Sequence, residues 1–165
     1  MNCILDIFFN FFQIYGIFKG VNDMKKLMII CSTSFYDRIP EVIDGLKNRF
    51  ELIMTNGYGE EDNNDYDNIS DQQYSDFFKK MFNESREKIS KADIFLVLNF
   101  DKVKNGSTYK NYIGASTFLE MYEAFMEDKK IYLYNGLPDK NNMLYDEIKS
   151  ILPIIINSDL DLIED

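Results

Sequence analysis

Ala92-Asp93-Ile94-Phe95-Leu96-Val97-Leu98-Asn99-Phe100-Asp101 is the stretch on which the fold turns. From Ile94 to Leu98 it is apolar without alternation, as expected of a strand covered on both faces in a parallel sheet. As the most hydrophobic run of its region, it is expected to be the central strand. The polar residues that follow it mark the start of a loop.

Outward from this run, apolar segments and amphipathic segments alternate. Leu27-Met28-Ile29-Ile30-Cys31 is a second continuous run, ending in Ser32-Thr33-Ser34. Between the two lie a helical stretch from Pro40 to Phe50, a strand Glu51-Leu52-Ile53-Met54-Thr55, and a helix from about Tyr74 to Lys91. Val42, Ile43, Leu46 and Phe50 share one face of the first helix, and Pro40 suits its first turn. Beyond the central run come a loop over 99–116, a helix from Thr117 to Asp128 and a strand Ile131-Tyr132-Leu133-Tyr134. A short helix from Met143 to Ile151 and a last strand Ile154-Ile155-Ile156 complete the pattern. Strands joined by helices predict an α/β fold, doubly wound around a mainly parallel five-stranded sheet with flavodoxin- or Rossmann-like layering.

Residues 1–23 stand apart from this pattern. Ile4 to Phe18 is greasy yet carries Asp6, Asn10 and Gln13, too interrupted for a membrane span, and Met1-Asn2-Cys3 lacks the positive charge of a secretory signal. We read 1–23 as an apolar N-terminal helical appendage and 24–165 as the domain, with Met24-Lys25-Lys26 resembling a natural start. The stretch from Asn56 to Asp71, with six acidic residues from Glu60 to Asp71, reads as a long solvated loop. Its spacing lacks the ligand pattern of an EF-hand, so no metal is expected there.

Charge and composition remove whole classes of function. The 165-residue chain has 18 Lys+Arg against 28 Asp+Glu, a formal charge of −10, and no histidine. It has no basic footprint for polymeric nucleic acid. Without an imidazole it cannot run a His-dependent triad, so any acid–base work falls to carboxylates, tyrosines or lysines. Cys3 and Cys31 are far apart and form no CxxC pair, which predicts a reducing, cytoplasmic setting.

Ligands of doubly wound sheets lie beyond the carboxyl ends of the strands, which nominates the loops 32–37, 99–116 and 135–142. None is a GxGxxG or a P-loop, and no cofactor is expected. Their Ser, Asn, Tyr and Asp suit a sugar or base, and Lys102, Lys104 and Lys110 offer little to a phosphate. The densest signal is Asn111-Tyr112-Ile113-Gly114-Ala115-Ser116-Thr117-Phe118-Leu119-Glu120-Met121. A glycine-containing loop opens a helix and Glu120 falls in what reads as its first turn, where amides and the positive helix end would keep it ionised. Glycosyl transfer with retention needs one such nucleophilic carboxylate and no histidine.

From about Lys26 to Leu160 the chain resembles the nucleoside 2-deoxyribosyltransferase-like family, with its relatives that hydrolyse the N-glycosidic bond of deoxynucleoside monophosphates. The resemblance is carried by Ala92-Asp93, by Leu98-Asn99-Phe100-Asp101, by Gly114-x-x-Thr117-x-x-Glu120 and by Lys129-Lys130-Ile131-Tyr132-Leu133. It looks closest to a branch with Asn111-Tyr112-Ile113-Gly114 before the glutamate and Asn135-Gly136-Leu137-Pro138-Asp139 after the next strand. It implies Glu120 as nucleophile, a nucleoside-like small-molecule substrate and a homo-oligomer with sites completed by a neighbouring subunit. Ser32, Ser34, Tyr36, Asn99, Asp101, Asn111, Tyr112, Gly114 and Thr117 are the candidate substrate-binding residues. The chain departs from the family at three places. Ser85, beside Glu84, stands where active members carry an aspartate; Tyr122 replaces a glycine; and Ser32-Thr33-Ser34-Phe35-Tyr36 replaces a glycine–proline element.

A plainer reading stands beside each of these. Thr117-Phe118-Leu119-Glu120 fits a capping box, and a helical wheel sets Phe118, Met121, Tyr122 and Phe125 on one side with Glu120 opposite. Asp101 suits a turn, Tyr112 suits packing, and Ser32 and Ser34 suit helix caps. Two functions follow: cleavage or transfer at an N-glycosidic bond through Glu120, or a noncatalytic member that binds a nucleotide-like ligand or serves as an oligomeric module.

Overall fold

The run Ile94–Leu98 forms β3, the middle of five parallel strands, and every residue in it is buried. In the computed structural model, which describes residues 24–60 and 69–165, the strands are β1 (Lys26–Cys31), β2 (Glu51–Met54), β3, β6 (Lys130–Leu133) and β7 (Ile154–Ile155). Their order is β2-β1-β3-β6-β7, the flavodoxin-like arrangement in which the strand order reverses between β1 and β3 while all strands stay parallel. Leu27 pairs with Ile94 and Cys31 with Leu98, so the two central strands end level. Residues 1–23, read above as an appendage, lie outside the described residues, as do residues 61–68, half of the acidic loop.

Successive side chains of a strand point to opposite faces, and β1 feeds two separate cores. Leu27, Ile29 and Cys31 pack with Phe35, Ile39, Val42 and Leu46 beneath α1 (Ile39–Leu46), where Ile156 and Ile163 from the C-terminal segment join them. Met28 and Ile30 pack on the other face with Ile89, Met121, Ala124 and Ile148. These come from α2 (Asp71–Lys91), α3 (Ala115–Met126) and α4 (Tyr145–Ser150). Phe95, fully buried on this second face, fills the space under α2 and α3.

Helix starts differ from expectation for identifiable reasons. α2 begins at Asp71, not Tyr74, because Ser70 and Gln73 form a reciprocal capping box. α3 begins at Ala115, two residues early, with Gly114 at the N-cap and no side-chain cap. Thr117 therefore sits inside the helix and the Thr117–Glu120 capping box is not formed. The wheel changes accordingly: Thr117, Met121 and Ala124 are buried, Glu120 borders them, and Tyr122 and Phe125 face solvent.

The loop 99–116 contains a hairpin that its apolar pattern did not announce. β4 (Lys102–Lys104) and β5 (Ser107–Tyr109) pair antiparallel across Asn105-Gly106, whose φ values of 52° and 75° match a two-residue type I′ turn. The hairpin stands at the carboxyl edge of the sheet, with Val103 72% exposed. Among the described residues no helix is long and apolar enough to cross a membrane.

Candidate functional site

α2 and α3 lie side by side on the sheet, and the inward residues of each decide what meets between them. On α2 these are Ser85 and Ile89, one turn apart. On α3 the face formed by Thr117, Glu120, Met121 and Ala124 looks back at α2 and the sheet. Ser85 donates its hydroxyl hydrogen to Glu120 Oε1 at 2.6 Å, across a sequence separation of 35 residues. That distance belongs to a charge-assisted O–H···O bond.

Glu120 is in the second turn of α3, beyond the reach of the free amides at the helix start. The expectation that those amides and the helix end keep it ionised is therefore corrected. Burial instead pushes its carboxyl up from the ordinary 4.5 to about 7, with the Ser85 hydrogen bond and the positive charge of Lys88 pulling the other way. Partial desolvation opposes charge on a carboxylate, while a donated hydrogen bond and a nearby cation favour it. A carboxyl balanced in this way exchanges its proton near neutrality.

Glu120 also acts on the end of β1. Burial first, and then the Glu120 charge, raise the Cys31 thiol to about 12. Burial, then Cys31 and Glu120, raise the Tyr36 phenol to about 12. These mutual influences set Glu120 by the carboxyl end of β1, at the edge where the strand order reverses. Tyr36 donates to the Asn56 carbonyl at 2.5 Å and meets the Tyr58 ring edge-on at 5.7 Å. Asn56 in turn donates to the Met81 carbonyl at 2.8 Å, tying the loop after β2 to α2.

The remaining candidates gather around the ends of β3 and β6. Asn99 is fully buried; its Nδ2 donates to the Gly136 carbonyl at 2.8 Å and its Oδ1 accepts from the Asn135 amide at 2.8 Å. Asp101 accepts from the Asn111 amide at 2.9 Å, and Asn111 donates to the Leu137 carbonyl at 3.0 Å. Both bonds clamp the base of the hairpin. Tyr112 packs against Phe35 and lays its hydroxyl over Gly114, where an added Cβ would stand 3.1 Å from the phenol oxygen. Ser32 caps the 3₁₀ turn Thr33–Arg38 by accepting from the Ser34 amide at 3.4 Å, and the Ser34 side chain is exposed.

The structure thus sets Glu120 within electrostatic reach of Tyr36, and it commits Asn99, Asp101 and Asn111 to backbone partners. Three participants escaped the sequence reading: Ser85 as the partner of Glu120, Lys88 one turn further along α2, and Cys31. Ser85 was legible only as a departure from a pattern, because nothing local pairs it with a residue 35 positions away.

A separate cleft of about 430 Å³ runs along the outer surface of the same two helices, lined by Asn83, Arg86, Glu87, Ser90, Glu123 and Glu127. Arg86 bridges it to Glu123 at 2.8 Å. It is open, charged and clear of the strand ends. Among the described residues no group of three or more His, Cys, Asp or Glu side chains is arranged to hold a metal ion.

No family model and no curated protein sequence matches the chain. Among solved structures, the CMP N-glycosidase BcmB of Clostridium botulinum is similar over 81% of this chain and 89% of that chain, with 20% identity and a TM-score of 0.40. The fold class rests on the strand order and layering themselves.

Proposed function

We propose that this protein acts on the N-glycosidic bond of a nucleoside or related small molecule, by transfer or hydrolysis, with Glu120 as the carboxylate nucleophile. The observation that carries this reading is the Ser85–Glu120 pair: a partly buried carboxylate held by a neighbouring helix, at the reversal edge of a doubly wound sheet. A glutamate serving only as a helix cap would be spent on its own backbone, and Glu120 is not. The ionised form attacks the anomeric carbon; the sugar is then released from the carboxylate to water or to a second base. The Tyr36 phenol lies close enough to feel the Glu120 charge. Tyr122 is 47% exposed and so does not crowd Glu120.

The alternative, a noncatalytic ligand-binding or oligomeric module, draws on the way Asn99, Asp101 and Asn111 are occupied by the backbone. Release of free base from nucleosides, followed by chromatography in the wild type and in Glu120→Gln, separates the two readings. Loss of release in the variant is expected. Unchanged release, or ligand-induced thermal stabilisation without any turnover in the wild type, favours the module.

The proposed partner is a second copy of this chain. Leu119, Tyr122, Phe125 and Met126 on α3, with Phe82 on α2, are exposed apolar side chains that association would cover. Sedimentation of the wild type against Phe125→Glu reports this directly. The reading invokes no cofactor, no polymeric nucleic acid and a cytoplasmic setting.

A further inference from the structure

We infer that the site is built for N-glycosides whose leaving group already carries a positive charge, the pyridinium type, rather than for neutral purine or pyrimidine nucleosides. This rests on the reading of Glu120 as nucleophile and names its substrate class. A neutral base leaves as an anion unless an acid protonates it during bond cleavage, a contribution of about 10²- to 10⁴-fold in rate. One carboxyl cannot attack the sugar and protonate the base in the same step.

Among the described residues, the groups that act on Glu120 supply no second acid, and Glu60, whose charge is felt at Tyr36, is exposed to solvent. Ser85 has committed its proton to Glu120 itself. Tyr36 has committed its own to the Asn56 carbonyl, and burial holds both that phenol and the Cys31 thiol far above neutrality. Lys88 acts on the carboxylate as a cation. No histidine exists anywhere in the chain. A pyridinium leaving group needs none of these. As a Glu120 oxygen bonds to the anomeric carbon, the C–N pair passes to the ring nitrogen, cancels its charge, and the pyridine departs neutral. Water then attacks the same carbon, frees the carboxylate and gives its proton to solvent.

Two further features suit a cationic ring. Tyr36, whose phenol feels the Glu120 charge, meets Tyr58 edge to face at 5.7 Å, and cations are attracted to aromatic faces. The formal charge of −10 favours the approach of a cation over that of an anion.

The test measures kcat/KM for base release by the full chain from nicotinamide riboside and from thymidine, deoxycytidine and inosine at pH 7.5. The pyridinium riboside is expected to be cleaved about 100-fold faster or more, with the activity lost in Glu120→Gln and the fold of the variant checked by its thermal melt. Neutral nucleosides cleaved as fast or faster would overturn the substrate class while leaving the N-glycosidic reading intact. Release from none of the four by the folded wild type would overturn both.

Discussion

The loop cluster at the ends of β3 and β6 and the helix pair α2–α3 make opposite uses of polar residues. Around β3 and β6 the sequence is dense in Asn and Asp, and the amides of Asn99 and Asn111 and the carboxylate of Asp101 are bound to backbone groups. On the inward sides of α2 and α3 polar residues are sparse, and the Glu120 carboxylate there is held by a single side-chain hydroxyl. Backbone amides and carbonyls at strand ends need partners, and side-chain amides satisfy them. Helices satisfy their own backbone, so a polar side chain on an inward helical face is free for chemistry. Polar density marks scaffold here, and the partly buried carboxylate between the helices carries the proposed site.

The largest effects should separate the two regions by what they damage. Glu120→Gln is expected to cost about 10³-fold or more in turnover while leaving the melting temperature unchanged or higher. Asn99→Leu is expected to do the reverse, costing about 2 to 4 kcal/mol of stability because it strands the Asn135 amide and the Gly136 carbonyl. Chemical denaturation beside steady-state assays distinguishes them, and a large activity loss at full stability in the Asn99 variant would erase the contrast.

Next in size comes pH. With the ionised carboxylate as the proposed nucleophile, turnover should rise as pH passes through about 7. Ser85→Ala removes a hydrogen bond that lowers this value, so the rise should move to higher pH, with activity recovering towards pH 9. A pH profile that scales down without moving would assign Ser85 a packing role.

Stability should carry the same signature with a smaller amplitude. The unfolded chain releases the Glu120 proton near 4.5 and the folded chain near 7, so native stability falls across that window as pH rises and is level above it. Glu120→Gln lacks this fall, and its stability relative to wild type should climb between those pH values and then stay constant. The smallest effect is Gly106→Ala in the hairpin, where φ of 75° disfavours a side chain; about 1 kcal/mol is expected, with turnover little changed.

The sheet was legible because burial on both faces writes itself as uninterrupted apolar runs, and the two central strands came within one or two residues of their observed bounds. Helix starts were less so. Ser70-x-x-Gln73 was a readable capping box, whereas Thr117-x-x-Glu120 had the same form and was not one, since Gly114 already opens α3. Asn105-Gly106 carried a hairpin signal that the surrounding polar residues obscured. In the proposed site, the motif nominated Glu120 but said nothing of its surroundings. That it faces Ser85, Lys88 and Cys31 depends on how α2 crosses the sheet over β1, a tertiary fact no local spacing encodes.

The most direct test of the central claim is mass spectrometry of the protein after reaction with a 2′-fluoro-2′-deoxyarabinosyl nucleoside bearing a pyridinium base, whose fluorine slows release of the sugar from the carboxylate. The account predicts that the peptide containing Glu120 gains the mass of one fluorosugar, and that Glu120→Gln gains nothing. Base released with Glu120 unmodified, or a fluorosugar found on another residue, would contradict it.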